Sequence, residues 1–436
     1  MSGSFDTATQ FRVTNVKIDN ENVIGMFFSL SLYEHVLSSA LSGNMVVVES
    51  GSNQFLADFQ IEGNELIEFS ISMPGDEILN FKGFINKISA RNITPEGVST
   101  YSVEFTSGTV RENESKHLTK RYKAISPKEI INDTIRFLNK DAELPVKSDK
   151  ILGDGLHLNY VASRWHPIRN IQYVQKHGVP TRRGGTTSIN TTEQTDNGEG
   201  KGTGAFMFFE TLKGYRFGSS VELLHGDLGV LRGETFRYQV ASQAIGMEAK
   251  RNCILSYENI QNNDTQTQMR SGAFKSRLIA FDMDAGAYHE QEYESPMMTE
   301  KQRKLSKAPT RYMNRPMTNQ RYNNGCEVRP PNSDDQTLKY LQQQTGSINN
   351  ITDGICQYTL PIRTDINAGD RISIDLFETS ISKVATLDKK YSGKWVVASV
   401  AHHFLLETMS AYTRVSCLRA TNQTSDSSAQ TVSLVD

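Results

Sequence analysis

The 436-residue sequence is poor in cysteine and has almost no net charge. Its four cysteines, Cys253, Cys326, Cys356 and Cys417, lie far apart and form no Cys-x-x-Cys pair, which argues against a disulfide framework or a zinc site. The 47 basic and 49 acidic side chains give a net charge of -2. A general nucleic-acid binder would concentrate Lys and Arg, so this class is excluded.

Long apolar runs are also missing. The most apolar early run, residues 23–28, is interrupted by polar residues from Ser29 onwards, whereas a membrane helix needs about 20 apolar residues. Residues 1–6 lack the basic and apolar regions of a secretory signal. At about 150 residues per domain, the length predicts roughly two to four domains. We therefore expect a multidomain protein that is made in the cytoplasm and does not insert into membranes.

Sequence signatures of chemistry are missing as well. The glycine-rich run 198–204 lacks the Ser or Thr that follows the lysine of a phosphate-binding loop. His402 and His403 are adjacent, so in a strand they would point to opposite faces, and a third ligand at zinc spacing is lacking. Asp282 and Asp284 would share a strand face, where solvated edge charges are the better interpretation. We predict no catalytic, cofactor-binding or metal site, and hence no enzyme.

Strand patterns dominate the first part of the chain. Residues 65–71 alternate between polar and apolar, and further strands are predicted at 84–88 and 101–105. A short amphipathic helix is predicted over residues 32–40. Several strands at close spacing predict a first small β-barrel over residues 12–110.

Residues 111–204 have a more helical character. The motif Ser126-Pro127-Lys128-Glu129 predicts a helix that begins with a capping box and continues to Asn139. A second helix is predicted over Pro167–His177. The Arg-, Gly-, Thr- and Asn-rich residues 182–204 that follow are predicted to form a mobile loop.

Strand patterns return from residue 205. We predict a second β-barrel from residues 205–258 and 348–420, with an inserted polar and basic domain over 259–347. Residues 421–436 contain no aromatic residue and are predicted to be a disordered tail. The predicted fold class is thus mainly β (α+β), with two related small tube-type β-barrels, a helical or mixed domain between them, and a domain inserted in the second barrel.

The two strand-rich regions share an internal repeat. It runs from Gly63 through Gly83 to Tyr101 in the first region, and from Gly369 through Gly393 to Tyr412 in the second. The glycines are 20 and 24 residues apart, and the tyrosine follows the second glycine by 18 and 19 residues. The first glycine precedes Asn or Asp, which is turn chemistry before a strand. We interpret the repeat as two related barrels rather than as chance similarity.

The stretch 300–330 is basic, with eight Lys or Arg residues against two Glu residues. Basic residues with interleaved tyrosines suit either nucleic acid or a protein interface. The near-neutral charge of the whole chain favours the protein interface. The candidate partner-interface residues are Arg303, Lys307, Arg311, Tyr312, Arg315, Arg321 and Tyr322.

A strand–turn–strand motif and two later segments carry a resemblance to a known family. The motif covers residues 208–219, and the later segments cover 368–372 and 391–404. Their order resembles that of the baseplate central hub proteins of contractile-tailed bacteriophages, which include the late control protein D type and are related to the base of contractile injection system spikes. The layout is similar over most of the chain, but the basic insertion and the residues after 420 match nothing in that family.

The resemblance implies a structural virion protein of the tail baseplate. Hubs of this family are homotrimers whose two barrels per chain form a six-barrel ring, which adapts a sixfold tail tube to a threefold central spike. The implied partners are other copies of the chain, the central spike protein, the tail tube protein or a tube initiator, and baseplate wedge proteins. Phage DNA is expected to pass through an axial channel without specific binding, and no cofactor is implied.

Three other functions stay open. One is the hub or spike-base protein of a non-phage contractile injection system, although the sequence lacks the β-helical repeats of a fused needle. Another is a tail-tip protein with a hydrolase role, although no segment predicts the compact domain that it would need. The third is a receptor-binding tail-tip protein, which would expose aromatic residues, and the chain has only two tryptophans.

Overall fold

The computed structural model describes residues 5–50, 61–95, 97–180, 204–225, 228–238, 244–262, 265–282, 287–294, 300–317, 342, 344–346, 354–377, 387–388 and 391–419. The predicted mobile loop, apart from Gly204, and the predicted tail over 421–436 lie outside these residues. The described part of the chain is mainly β, which confirms the predicted class at that level.

The first part of the described chain consists of strands: β1 (Arg12–Ile18), β2 (Glu21–Asn22), β3 (Phe27–His35), β4 (Ser42–Glu49), β5 (Leu66–Met73), β6 (Glu77–Ile93) and β7 (Ser99–Thr106). Their hydrogen-bonded order is β3-β4-β7-β6-β5-β1-β2, with antiparallel neighbours. Although β1 and β3 lie far apart in this order, Val16 of β1 and Leu32 of β3 belong to one buried core. The sheet therefore curls around a single core, as the strands of small barrels do.

Residues 32–35 belong to strand β3, so the predicted helix over 32–40 is wrong. Leu30, Leu32 and Glu34 are buried at every second position, which is the period of a strand. The polar Glu34 conceals this alternation in the sequence, because a carboxylate is rarely placed in a core. If Glu34 is assumed to be exposed, the apolar residues within 32–40 have the spacing of an amphipathic helix.

The middle part combines helices and strands: α1 (Gly108–Ser115), β8 (Leu118–Ile125), α2 (Pro127–Asn139), β9 (Ser148–Ile151), β10 (Leu158–Trp165), α3 (Pro167–His177), β11 (Phe206–Thr211), β12 (Gly214–Ser219) and α4 (Ser220–His225). Both predicted helices, α2 and α3, are confirmed. The capping box is also confirmed, because the Ser126 hydroxyl accepts from the Glu129 N–H at 3.3 Å and the Glu129 carboxylate accepts from the Ser126 N–H at 3.3 Å.

The β11–β12 hairpin pairs with β9 in a three-stranded sheet, outside the sheet in which the sequence placed residues 205–219. Phe208 and Phe217 pack with Ile130 of α2 and Ile171 of α3. Every residue of both strands is buried. A run that is buried on both faces predicts a strand but does not indicate which sheet the strand joins.

The remaining elements follow in chain order: β13 (Leu231–Tyr238), α5 (Met247–Arg251), β14 (Cys253–Ile254), β15 (Ser256–Asn262), α6 (Thr265–Ser271), β16 (Lys275–Asp282), β17 (Ala287–Glu294), α7 (Glu300–Leu305), β18 (Arg311–Met317), β19 (Gly354–Pro361), β20 (Arg371–Asp375), β21 (Gly393–Leu405) and β22 (Ser410–Arg419). Strands β17, β16 and β18 form a separate small sheet. The chain leaves the large sheet after β15 and returns in β19, which is the antiparallel partner of β15.

The long strand β21 joins the two strand-rich regions into one 14-stranded sheet. Its first part pairs with β20, and residues 399–405 pair antiparallel with β3, from Ser399 opposite His35 to Leu405 opposite Ser29. The core beneath the second region contains Phe236 of β13, Tyr358 of β19 and Val415 of β22.

The two regions have the same strand order. The order β3-β4-β7-β6-β5-β1 of the first region corresponds to β15-β19-β22-β21-β20-β13 of the second. The repeated glycines Gly63 and Gly369 both have a left-handed backbone, with φ of 98° and 86°, shortly before β5 and β20. One difference is that β1 is antiparallel to β5 whereas β13 is parallel to β20.

Candidate functional site

Charged side chains, most of them buried, collect where β3, the β11–β12 hairpin and the loop before β20 meet. We call this cluster the central junction and define it by Glu34, Glu77, Asp149, Glu210, Arg216, Arg363, Asp365 and Asp370. These residues come from the first strand region, the middle part and the second strand region. The central junction therefore fixes how the three parts of the chain are held together.

Glu34 connects all three parts. Its side chain is 1% exposed, and its two carboxylate oxygens accept hydrogen bonds from the backbone N–H groups of Leu212 and Ala368, each at 2.7 Å. Burial raises the pKa of the Glu34 carboxyl to about 7, although both backbone hydrogen bonds oppose the shift. Glu34 therefore changes charge near neutral pH.

Glu210 of β11 forms a second buried carboxyl site. One of its oxygens accepts hydrogen bonds from the hydroxyls of Ser107 and Thr109, each at 2.7 Å, and a longer one from the Leu41 N–H at 3.4 Å. Burial raises the pKa of Glu210 to about 7 as well. This carboxyl attaches the hairpin to the end of the first strand region.

Arg216 of β12 is fully buried between two carboxylates. Its Nε donates to Asp149 at 2.7 Å, and its Nη1 donates to Asp370 at 2.8 Å and to the Ala368 carbonyl at 2.8 Å. Asp370 is also fully buried and accepts from the Val230 N–H at 3.0 Å. Burial alone would lower the pKa of Arg216, but the two carboxylates raise it, so the guanidinium stays charged.

A second arginine forms the other end of the central junction. Arg363 binds Asp365 through two hydrogen bonds of 2.8 Å, which is the bidentate geometry that favours Arg–carboxylate pairs. Burial would raise the pKa of Asp365, but the Arg363 guanidinium holds it well below its usual range. Glu77, at the start of β6, accepts from the Thr364 hydroxyl at 3.1 Å and pairs with Arg251. The first strand region is thus bonded to the second at two places, through Glu34 to Ala368 and through Glu77 to Thr364.

The adjacent histidines occupy opposite faces of β21, as the sequence predicts. His402 is fully buried, its Nδ1 lies 3.0 Å from the Thr413 hydroxyl, and burial lowers its pKa to about 3. His403 is partly exposed, and its Nδ1 lies 2.9 Å from the Ser31 hydroxyl across the β3–β21 pairing. Within the described ranges, no group of three His, Cys, Asp or Glu residues could hold a metal ion.

The candidate partner-interface residues lie away from the central junction. Arg311, Tyr312 and Arg315 are on strand β18, where the Arg311 Nη1 donates to the Ser271 carbonyl at 2.8 Å and Tyr312 is 58% exposed. Lys307 is exposed, and Arg303 pairs with a carboxylate of β17. The Arg315 side chain and the residues Arg321 and Tyr322 lie outside the described part of the chain. Their role as an interface stays a prediction.

Sequence reasoning missed the central junction. It identified Gly369-Asp370 as turn chemistry but did not detect that Asp370 is buried, and it placed Glu34 in a helix. The missed signal is the presence of single charges, Glu34, Glu210 and Arg216, in strands that contain no other Asp, Glu, Lys or Arg. Such charges are kept in a core only when they are paired or hydrogen-bonded, but their partners are far away in the sequence.

Comparison with solved structures identifies the fold. The 43 kDa tail protein of prophage MuSo2 from Shewanella oneidensis has a TM-score of 0.51 and 9% identity, over 94% of this chain and 98% of the other. A tail protein from Neisseria meningitidis has a TM-score of 0.48 and 9% identity, over 94% and 97% of the two chains. The Shewanella comparison shows that the chain has the fold of a phage tail protein.

A type VI secretion system component from E. coli has a TM-score of 0.42 and 7% identity, over 95% of this chain and 78% of the other. No protein-family model matches the sequence, and no curated protein matches it. Among the residues with described placement, no helix is long and apolar enough to cross a membrane.

Proposed function

We propose that this protein is a structural component of a bacteriophage tail, namely the trimeric central hub of a baseplate. The observation that carries the proposal is the pair of curled strand regions with the same strand order, joined through β21 in one chain. Three copies would supply six similar units around one axis. The protein would thereby adapt a sixfold tail tube to a threefold central spike.

The fold likeness to a prophage tail protein supports this proposal. Closed rings also suit strand-rich subunits, because ring contacts cover edges that would otherwise promote aggregation. In this role the protein performs no catalysis, and the central junction keeps the two units of each chain at a fixed angle.

The proposed partners follow from the position in the tail. The end of the trimer at which the six strand units form a ring meets the tail tube protein or a tube initiator. The opposite end of the trimer meets the central spike protein. The sheet of β16–β18 and its basic surroundings face outward toward baseplate wedge proteins. Phage DNA passes along the axis without specific binding, which requires a channel lining that is not basic, and the net charge of -2 is consistent with such a lining. The protein is made in the host cytoplasm and resides in the virion.

The mass of the purified chain in solution tests the proposal. Size exclusion with light scattering should give a species of three times 48.8 kDa, or about 146 kDa. A stable dimer would contradict the ring. A chain that stays monomeric, alone and after co-expression with the spike protein of the same virus, would contradict the hub function.

A further inference from the structure

The middle part of the chain contains an internal repeat of one strand followed by one helix. β8 and α2 form the first copy, and β10 and α3 form the second. Identical residues recur at a spacing of 40 positions: His117 and His157, Leu118 and Leu158, Pro127 and Pro167, Ile131 and Ile171. Each strand has a bulge that contains a left-handed residue, Ala124 with φ of 53° and Arg164 with φ of 52°. The two copies therefore share the same local backbone.

A local twofold axis relates the two copies. β8 and β10 pair antiparallel, and exchanging the copies leaves the register unchanged. Three facing pairs show this symmetry: Leu118 and Trp165, Leu158 and Ile125, and Arg121 with Val161 at the centre. The equivalent Ile131 of α2 and Ile171 of α3 are both fully buried in one core. The helices therefore cover one face of the strand pair, and the opposite face is left without a covering element.

We call residues 118–125 and 158–165 the basic ribbon. Its inner side chains, such as Tyr122 and Ala162, belong to the core shared with α2 and α3. The outer side chains are exposed: Thr119, Arg121 and Lys123 on β8, and Asn159, Val161 and Ser163 on β10. Among the described strands, β8 and β10 pair only with each other, so each strand has one edge without a partner strand.

The charge of the basic ribbon has one sign. It carries four basic side chains and no acidic one: Lys120, Arg121, Lys123 and Arg164. Of these four, only Lys120 pairs with a described carboxylate, that of Asp133 on α2 at 2.7 Å. Residues 116–180 as a whole contain 12 basic and 6 acidic side chains, although the complete chain has a net charge of -2. An uncompensated positive surface of this kind favours an anionic partner.

We infer that the basic ribbon binds an extended acidic segment of a partner protein, which adds as a third strand along the β8 edge. An open edge offers backbone N–H and C=O groups to which another polypeptide strand can bind. Acidic side chains of the added strand would lie beside Arg121 and Lys123, and opposite charges on neighbouring strands stabilise the pairing. A second copy of the ribbon is a poorer partner, because its four cations would face like charges.

A nucleic acid also fits the basic ribbon less well than an acidic strand. The three cations without a described carboxylate are few beside the roughly 6–10 phosphate contacts of a strongly salt-dependent DNA-binding protein. A nucleic acid leaves the strand edge unpaired, and the 55% exposed Val161 at the centre suits contact with a polypeptide. The inference goes beyond the hub proposal, which assigns no partner to the middle part, and its test does not depend on trimer formation.

Fluorescence anisotropy on the full-length chain tests the inference. The first probe is a fluorescein-labelled peptide of alternating Glu and Thr residues, as long as β8. It should bind at low salt and lose affinity as the salt concentration rises, because salt screens exposed charges. The second probe has proline in place of each threonine, which keeps the charge but removes backbone N–H donors. It should bind at least about tenfold more weakly, because it cannot complete a strand ladder.

Charge reversal on the ribbon provides the second arm of the test. Arg121→Glu with Lys123→Glu should weaken binding of the first probe at least about tenfold at an unchanged melting temperature. The matched control is Arg136→Glu with Lys140→Glu, which changes the net charge equally at two exposed positions near the end of α2 and should retain the affinity. If the ribbon variant does not fold, Arg121→Gln with Lys123→Gln replaces it and should show a smaller loss.

Three results would overturn the inference: no binding of the first probe at low salt, equal binding of the two probes, or equal losses in the ribbon variant and its control. A labelled DNA duplex is the third probe. If the duplex binds more tightly than the acidic peptide and loses affinity in the ribbon variant, the ribbon is a nucleic-acid surface and the acidic strand is excluded.

Discussion

The carboxylate of Glu34 accepts a hydrogen bond from the backbone N–H of Ala368, 334 residues later in the sequence, at 2.7 Å. Its other oxygen binds the turn of the β11–β12 hairpin. A single titratable side chain therefore holds parts of the protein that are distant along the chain, and its protonation state affects the stability of the whole molecule.

The first prediction concerns the pH dependence that Glu34 causes. Its pKa is about 7 in the folded protein and near 4.5 when unfolded, so the folded state binds the proton more tightly. The Glu34 contribution to the free energy of unfolding is thus greatest below about pH 4.5 and falls as the pH rises toward 7, by on the order of 3 kcal/mol. Glu34→Gln, which cannot ionise, should lack this loss.

Urea unfolding of the wild type and of Glu34→Gln between pH 5 and 8 measures the effect. The variant should gain stability relative to the wild type as the pH rises. Glu129→Gln serves as a control, because it alters a capping box outside the central junction. The difference between its free energy of unfolding and that of the wild type should stay nearly constant between pH 5 and 8. A pH-independent difference for Glu34→Gln would show that Glu34 does not titrate in this range.

The second prediction has the opposite sign and concerns His402. Burial lowers its pKa to about 3 in the folded protein, from 6.5 in the unfolded chain. Its contribution to stability is therefore present above about pH 6.5 and is lost as the pH falls toward 3. His402→Gln should lose less stability than the wild type between pH 7 and 5 in thermal melts. Equal losses in the two proteins would contradict a buried neutral histidine.

The third prediction concerns the buried ion pairs of Arg216. Arg216→Met leaves Asp149 and Asp370 without their common cation, and breaking such a buried pair costs about 3–5 kcal/mol. The control is Lys82→Met, which removes an ion pair with Glu68 at a lysine that is 58% exposed, and should cost less than about 1 kcal/mol. Chemical denaturation measures both values. Similar small losses for the two variants would mean that Arg216 contributes little to the central junction.

The fourth prediction concerns a close backbone approach. A Cβ atom on Gly229 would overlap the carbonyl oxygen of Gly369, whereas a Cβ on Gly233 would have no atom within 4 Å. Gly229→Ala must therefore push β13 away from the loop before β20, and we expect a loss of about 3 kcal/mol or more, or insoluble protein. Gly233→Ala should change the melting temperature little. Equal melting temperatures for the two variants would contradict the close approach.

The sequence predicts local structure well where the signal is local. The Ser126–Glu129 capping box, the two helices that begin at proline and the alternating β5 strand are all encoded within a few residues. The sequence does not reveal strand β3, because the burial of Glu34 depends on N–H groups far away in the chain. It also does not reveal which sheet the β11–β12 hairpin joins, because Asp149 and Asp370, which bind its Arg216, come from two different regions.

The β3–β21 joint also constrains how the protein is made. The Ser31 and His403 side chains that face each other across it are separated by 372 residues. On the ribosome, β3 is therefore synthesised long before its partner and must wait with one edge unpaired while the intervening residues emerge. Such edges are prone to aggregate during slow, non-local folding. We expect overexpression to favour inclusion bodies, and slower translation or a chaperone that shields nascent strands to increase the soluble yield.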